Sequence, residues 1–494
     1  MQGFTTHNFH RQREIMKTLL FTLNASHAHT ALGIRCLRDA LLDAGLEASC
    51  YEATLKDHTN DVLAHLYEQN ATIYGFSCYI WNLEQMLALA ADLKAIRPDR
   101  HIVLGGPEVS FDTERFTSLP FVSTVLTGEG EDAMVKLAAL CAAGEELPKV
   151  MVGEPFADFL TGGIHYKKEE TLSNLVYYES SRGCPFSCAF CLSGAANAHA
   201  VRAKSAETAL AELLEFEQFS KPLTVKLVDR TFNFDRERAK TIWRGLLSER
   251  YTNCYHFEIA AHLLDEEAFQ ILSQFPVGKI RLEIGLQSTN QKTLAAIARH
   301  TDATTVLNAA KRLTACGNVY VHLDLIAGLP HEDLASFANS FDEAYFCCDV
   351  LQLGFLKLLH GTPLRRDAEQ NGMIFSQKPP YTVLQTKWLS FDELARLHAV
   401  EELCERLRNG GRFARTLDLI LPRRLTPFAF FDGFSHYLAQ NAEKALHKLS
   451  QRELFVLLSR YLKATLPTSL HDAISEALRA DFAAFEVRRP PYEL

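Results

Sequence analysis

The stretch "SSRGCPFSCAFCLSG" sets Cys184, Cys188 and Cys191 in one short loop, with Phe190 just before the third thiol. Thiolates are soft ligands that select zinc, copper(I) or iron–sulfur clusters. Structural zinc sites take four ligands, commonly as two close pairs, and no second pair lies near this loop. His199 could complete a Cys₃His set, but its spacing matches no common finger. A cubane [4Fe–4S] cluster on three cysteines differs: one iron stays open to a ligand from outside, so the centre both stores an electron and holds a reactant.

Such a loop needs a rigid frame, and the chain is long enough for several domains at 494 residues. A hydrophobic content of 47% with 22% charged residues reads as a water-soluble globular protein. The net charge of −9 argues against an extended nucleic-acid groove, and Arg412, Arg415, Arg423 and Arg424 read as surface or helix-end charges. Twelve cysteines are too sparse for a disulfide scaffold. The N-terminus carries no signal-peptide pattern and no apolar run is long enough for a membrane span, so the expected location is the cytoplasm, where clustered thiols stay reduced. Residues 1–15 read as a flexible leader, and translation could start at Met1 or Met16.

From Met16 to about residue 150, short apolar runs alternate with helical spacing. "KTLLFTLN", "ATIYGFSCY", "HIVLGG" and "VSTVLTG" read as strands, with "ALGIRCLRDALLDAGLE" and "NLEQMLALAADLKAIRP" as crossover helices. That order predicts a Rossmann-like, doubly wound parallel sheet whose ligand edge is the set of loops at the strand C-terminal ends. Residues 151–172 lack a period and read as a linker. A second series runs over 173–371, with strands "LTVKLVD", "YHFEIAA", "GKIRLEIGLQ", "VYVHLDLIAG" and "VLQLGFLKLL" separated by helices. Six β/α units predict a (β/α)₆ partial TIM barrel with its site at the strand C-terminal ends. Residues 372–494 read as mostly helical, with Ser390 or Asp392 as a cap and "FAFFDGFSHYL" as an aromatic helix–helix seam. The fold class is α/β with a helical C-terminal domain.

The spacing Cys-x₃-Cys-x₂-Cys after the first barrel strand resembles the signature loop of the radical S-adenosylmethionine (SAM) superfamily. Other stretches agree with that resemblance in order. "RLEIGLQSTN" resembles the fourth-strand motif, which implies Glu283, Gln287 and Ser288 as SAM contacts. "AAIARHTDATT" implies that Arg299 pairs with the SAM carboxylate, and "HLDLIAGLPHED" brings Ile326 and Gly328 toward the adenine, with Asp324 a further candidate. Phe190 joins this set, and Asp229 of "LVDRTFNFDRERA" is expected to point into the barrel mouth.

A leading α/β domain before such a barrel resembles cobalamin-binding radical SAM enzymes, over roughly residues 17–370. The resemblance implies Ser77, Gly105 and Gly106 beside the nucleotide tail, and Gly128 and Glu129 near the corrin rim. The Asp-x-His-x-x-Gly motif that places a histidine under cobalt in many cobalamin proteins is missing; His27 and His29 of "NASHAHTALG" are the candidates in the equivalent loop. Methylthiotransferases carry three further cluster cysteines in the first domain, whereas Cys36, Cys50, Cys78 and Cys141 are scattered here. Coproporphyrinogen-oxidase-like proteins lack the leading domain.

The implied cofactors are a [4Fe–4S] cluster, SAM and cobalamin. The implied reaction is reductive cleavage of SAM to a 5′-deoxyadenosyl radical, hydrogen abstraction from a substrate, then methyl transfer from methylcobalamin. Rearrangement, cyclisation or oxidation with the same cofactors is one alternative, and a non-enzymatic cobalamin and cluster sensor a second. The implied partners are a small-molecule, peptide or RNA substrate and an electron donor such as a flavodoxin or ferredoxin, with no membrane.

Overall fold

The computed structural model describes residues 16–168, 170, 172–193, 201–249, 251–421, 424–486 and 491; the leader 1–15, Gly194, His199 and Arg423 lie outside them. The chain divides into two compact units, Met1–Tyr177 and Tyr178–Leu494.

The first unit is built on strands β1 (Lys17–Asn24), β2 (Glu47–Thr54), β3 (Ile73–Ser77), β4 (His101–Gly105), β5 (Thr124–Gly128) and β6 (Val150–Gly153). They pair in the order β2-β1-β3-β4-β5-β6, every pair parallel. β1 is apolar along its length because both faces are covered: Leu19, Phe21 and Leu23 enter one core cluster, and Leu20 enters the other with Leu41 and Leu137. Two edge strands escaped the sequence reading. β2, "EASCYEAT", is only half apolar because one side of it pairs with nothing, and β6 lies within the stretch read as linker, with Val152 exposed. The strand order reverses between β1 and β3, which opens a crevice at their C-terminal ends.

Strand β7 (Leu175–Tyr178) runs across the boundary after Tyr177, and the second unit goes on with a two-residue antiparallel pair of β8 (Ser181–Arg182) and β9 (Arg202–Ala203), then β10 (Thr224–Leu227), β11 (Cys254–Ile259), β12 (Ile280–Gln287), β13 (Val319–Ala327) and β14 (Val350–Phe355). The large sheet runs β7-β10-β11-β12-β13-β14 in chain order, so β7 and β14 remain edges and the barrel is open. Helices Ala206–Glu215, Arg236–Ser248, Glu266–Leu272, Ala303–Ala315 and Leu334–Tyr345 fall between these strands. One strand face is apolar and buried, through Tyr255, Phe257, Leu282, Ile284, Val321 and Leu323. The other carries Lys226, His256, Glu258, Glu283, His322 and Asp324. A closed barrel fills this inner face with branched apolar side chains; here it is charged.

Past β14, a short hairpin of β15 (Ile374–Phe375) and β16 (Val383–Gln385) precedes the helices Phe391–Leu403, Ala414–Ile420, Pro427–Asn441, Gln451–Thr465 and His471–Phe485. Ser390 starts the first with a capping box to Glu393. The aromatic helix is a seam: Phe431 packs 5.7 Å from Phe341, and Phe434 packs 5.2 Å from Tyr461. Asn409 closes part of the β14 edge, its Oδ1 accepting from Leu351 N–H at 3.1 Å and its Nδ2 donating to Leu351 C=O at 2.9 Å. Among the described residues, no helix is long and apolar enough to cross a membrane.

Candidate functional site

The cysteine loop leaves the end of β7 and is fixed at both ends. Ser180 N–H and Ser181 N–H donate to Asp229 Oδ1 at 2.7 and 3.1 Å, and Ser180 Oγ donates to Oδ2. Arg238 Nη2 donates to Ser180 Oγ at 2.8 Å and to Ser180 C=O at 3.2 Å. Asp229, expected to point into the barrel mouth, is wholly buried just past the C-terminal end of β10, where its carboxylate holds the start of the cysteine loop past the end of β7. Further along, Ala189 N–H donates to Ile297 C=O at 3.0 Å and Ala189 C=O accepts from Leu364 N–H at 3.0 Å. The loop is thus tied to segments that follow β12 and β14.

Cys184 and Cys188 are buried and Cys191 is half-buried; all are free thiols. Burial pushes the Cys188 thiol up, and the Arg299 guanidinium, with Nη1 3.8 Å from its sulfur, opposes that shift. A soft set of three free thiols in one loop fits a polynuclear iron–sulfur cluster with its fourth metal corner left open. Phe190 is half-buried beside Cys191.

The SAM candidates separate into three groups. Arg299 and Gln287 meet at Gly285: Arg299 Nη2 donates to its carbonyl, and the Gln287 amide fills the space that a Cβ there would occupy, with Nε2 2.2 Å from that position. Gln287 has φ 71° at a register shift between β12 and β13, is 8% exposed, and has no hydrogen-bond partner for Oε1. An acceptor buried without a partner, on strained backbone, marks a place where a ligand group belongs. Ile326 lies on the same inner face, opposite Gly354, and Gly328 follows β13.

Ser288 and Glu283 are already engaged. Ser288 is fully buried and donates to Glu332 Oε1 at 2.6 Å; Ser336 and Ser340 donate to the same oxygen at 3.4 and 3.3 Å. This cross-links the loop after β12 to the loop after β13. Glu283 receives Lys226 Nζ at 2.8 Å and has His256 Nε2 at 3.1 Å. Burial would raise its carboxyl, yet the His256 and Lys226 partners hold it down at about 2. Asp324 behaves oppositely: burial, then the charges of Glu283 and Glu258, push it up to about 8, and its Oδ1 is buried without a partner.

In the first unit, the predicted cobalamin residues surround the C-terminal edge of the sheet. Gly105 C=O accepts from Cys78 N–H at 2.7 Å, and Ser77 C=O accepts from Asn82 Nδ2 at 3.2 Å. Gly106 and Gly128 have φ 104° and 75°, and an added Cβ would meet Cys78 O at 2.6 Å and Gly153 O at 2.3 Å. The close approach at both glycines is to protein backbone. Glu129 Oε2 accepts from Phe156 N–H at 2.9 Å. His29 Nδ1 lies 2.7 Å from Tyr177 Oη, and exposed His27 lies 3.7 Å from Asp57. The "SCYIWN" loop, among the strand-end loops expected to form the ligand edge, adds two residues: Asn82 Nδ2 also donates to Leu23 C=O at 3.1 Å, and Trp81, 48% exposed, stacks on Tyr79 at 4.3 Å.

Three family models match separate segments of the chain. The B12 binding domain model matches residues 19–138, the Radical SAM superfamily model residues 178–344, and the model "Protein of unknown function (DUF4080)" residues 369–492. The chain is 23% identical over 471 residues to 2-(S-pantetheinyl)-carbapenam-3-carboxylate methyltransferase of Streptantibioticus cattleyicolor, covering 84% of this chain and 69% of that one. It is 22% identical over 472 residues to the cobalamin-dependent radical SAM methyltransferase TokK of Streptomyces tokunonensis, with the same coverage, 84% and 69%. Its fold resembles that of the radical SAM methyltransferase TsrM from Kitasatospora setae, with TM-score 0.64, 14% identity, and coverage of 95% of this chain and 99% of that one. Three thiols on a tethered loop of an open β/α barrel, and a doubly wound parallel sheet in the preceding unit, agree with these matches: the chain carries a B12 binding domain over residues 19–138 and a Radical SAM domain over residues 178–344.

Proposed function

We propose that the protein is a cobalamin-dependent radical SAM methyltransferase acting in the cytoplasm with an external one-electron donor. When bound, the [4Fe–4S] cluster delivers the electron that cleaves SAM to methionine and a hydrogen-abstracting 5′-deoxyadenosyl radical, and cobalamin carries the methyl group. Cys184, Cys188 and Cys191 hold the cluster. Arg299 offers its guanidinium to the SAM carboxylate, Gln287 Oε1 accepts from a SAM hydroxyl, and Phe190, Ile326 and Gly328 provide apolar and close-packing contacts. Glu283 and Ser288 act through the groups they bind, as positioning residues. In the first unit, Ser77, Gly105, Gly106, Gly128 and Glu129 shape the crevice for cobalamin, and the face of Trp81 packs against the flat corrin. Of the two histidine candidates for cobalt, His29 Nδ1 is held by Tyr177 Oη, whereas exposed His27 has only a 3.7 Å approach to Asp57.

The observation that carries this reading is the tethered cysteine loop with Arg299 against Cys188. Methyl transfer draws its support from the curated relatives, each named a methyltransferase, that align with 84% of the chain. Anaerobic enzyme given cobalamin, a reductant and methyl-labelled SAM should form 5′-deoxyadenosine and move label into product. Absence of 5′-deoxyadenosine overturns the radical step; 5′-deoxyadenosine with unlabelled product selects rearrangement, cyclisation or oxidation instead.

A further inference from the structure

The inner face of the barrel holds more chemistry than the SAM reading uses. Lys226 on β10, His256 and Glu258 on β11, Glu283 on β12, and His322 and Asp324 on β13 form one continuous charged tier. Strand register puts them side by side: Lys226 faces His256, Glu258 faces Glu283, and Glu283 faces His322. Their partners are mostly one another. Lys226 Nζ lies 2.8 Å from Glu283 and 3.7 Å from Glu258, and the His256 and His322 rings stand 5.3 Å apart.

Charge within the tier does not close. On the strand face three carboxyls meet one lysine; Arg230 and Arg299, in the segments after β10 and β12, add positive charge near Glu258 and Asp324 respectively, and burial pushes both histidines toward the neutral form. Glu283 takes the short contact to Lys226, which leaves Glu258 and Asp324 as a surplus. Each is raised first by burial and then by the carboxylate of Glu283. Two acceptors, Asp324 Oδ1 and His322 Nε2, are buried with no partner. A group kept desolvated and unpaired destabilises the fold, so a purely structural core gains nothing from gathering these residues. A site filled in turn by a ligand does.

Resting on the radical SAM reading above, we propose that this tier is the floor of the substrate pocket and that the substrate is a small polar molecule presenting an ammonium or guanidinium group to Glu258 and Asp324. A cation there neutralises the surplus carboxyl and donates to the orphaned oxygen. An apolar substrate would instead strip water from six titratable groups and return nothing. An anionic one would add to the excess negative charge.

The test uses the reconstituted holoenzyme with SAM bound, and three probes of one chain length: n-pentylammonium, 1-pentanol and pentanoate. SAM affinity is measured first by anaerobic calorimetry; failure there strikes the radical SAM reading itself. With SAM bound, pentylammonium should bind saturably and about tenfold tighter than either companion, the worth of one charge-assisted contact. Glu258→Gln should bring it down to the level of pentanol. Lys226→Met should move it the other way, tightening pentylammonium several-fold, a gain that misfolding cannot imitate. Equal or tighter binding of pentanol or pentanoate, shifts of the same sign in both variants, or no saturable binding of pentylammonium to SAM-loaded enzyme would overturn the proposal.

Discussion

Arg299 spans from the carbonyl of Gly285 to the sulfur of Cys188, 3.8 Å from its Nη1, and so links the fourth barrel strand to the cysteine loop. Only a planar fork reaches both points at once. Under the proposed function the same guanidinium also meets the SAM carboxylate. Arg299→Met should weaken SAM binding about tenfold or more, the worth of a lost charge-assisted hydrogen bond. Iron and sulfide content should remain near that of the parent, because the three thiols are untouched. Arg299→Lys should recover only part of the affinity. Equilibrium binding beside metal analysis reads both, and unchanged SAM affinity in Arg299→Met would remove Arg299 from the site.

Glu332 gives the fold a pH dependence of known sign. Burial, against the opposing bonds from Ser288, Ser340 and Ser336, raises its carboxyl from 4.5 to about 7. An acid with a raised folded-state value holds its proton longer in the native state than in the unfolded chain. Its contribution is therefore complete below about pH 4.5 and shrinks as pH climbs through 7. The change is on the order of 3 kcal/mol at one pKa unit per 1.4 kcal/mol. Glu332→Gln cannot ionise, so the stability gap between it and the parent should shift in favour of glutamine from pH 5 to pH 8. Denaturant midpoints at the two pH values measure this, and a gap that stays constant would contradict it.

Much of this architecture was open to reading from the chain, and the exceptions share a cause. β1 announces itself because helices cover both of its faces and its residues run apolar, and β12 and β13 because apolar residues alternate with polar ones along them. The cysteine loop is a local signal that survives without any fold. Edge strands β2 and β6 bury less and lose that pattern, so their pairing is decided by a neighbour distant in sequence. The same holds for side-chain partnerships. Nothing near Ser288 predicts Glu332 as its acceptor, 44 residues on, and nothing near Glu283 predicts Lys226, 57 residues back. Motif matching therefore offers Ser288 and Glu283 as ligands, and only the structure adds that Ser288 Oγ and Glu283 Oε2 have protein partners.

Asn409 substitutes for a missing strand. Its amide meets both backbone groups of Leu351 on the open edge of β14, and Arg408 beside it donates to the carbonyls of Asp349, Tyr345 and Cys348. Asn409→Ala leaves the edge N–H of Leu351 unpaired and its C=O with only the weak Cys404 thiol donor at 3.7 Å, at about 1–3 kcal/mol. Asn409→Asp should cost more, since it loses the donor and sets a carboxylate against the Leu351 carbonyl. Thermal unfolding should start several degrees lower in both, with aspartate the worse. The reverse order would show that packing, not hydrogen bonding, dominates at this edge.

Gly128 tests what the glycines at the B12-type edge are for. Under the cobalamin resemblance they leave room for the cofactor, but an added Cβ at Gly128 would lie 2.3 Å from the carbonyl oxygen of Gly153 on the neighbouring strand. The backbone there also has φ 75°, which costs an alanine about 1–2 kcal/mol before any overlap. Relieving the overlap means separating β5 from β6 at their last paired residues, Gly128 and Gly153, for roughly another 1–3 kcal/mol. Gly128→Ala should therefore lower the unfolding temperature of cofactor-free protein by several degrees. Gly105→Ala is the matched control, because its nearest neighbour is 3.8 Å away. It should leave the cofactor-free fold nearly unchanged and act only on cobalamin affinity, read by equilibrium dialysis. If both substitutions spare the apoprotein and weaken cobalamin alike, the glycine at position 128 serves the cofactor and not the sheet.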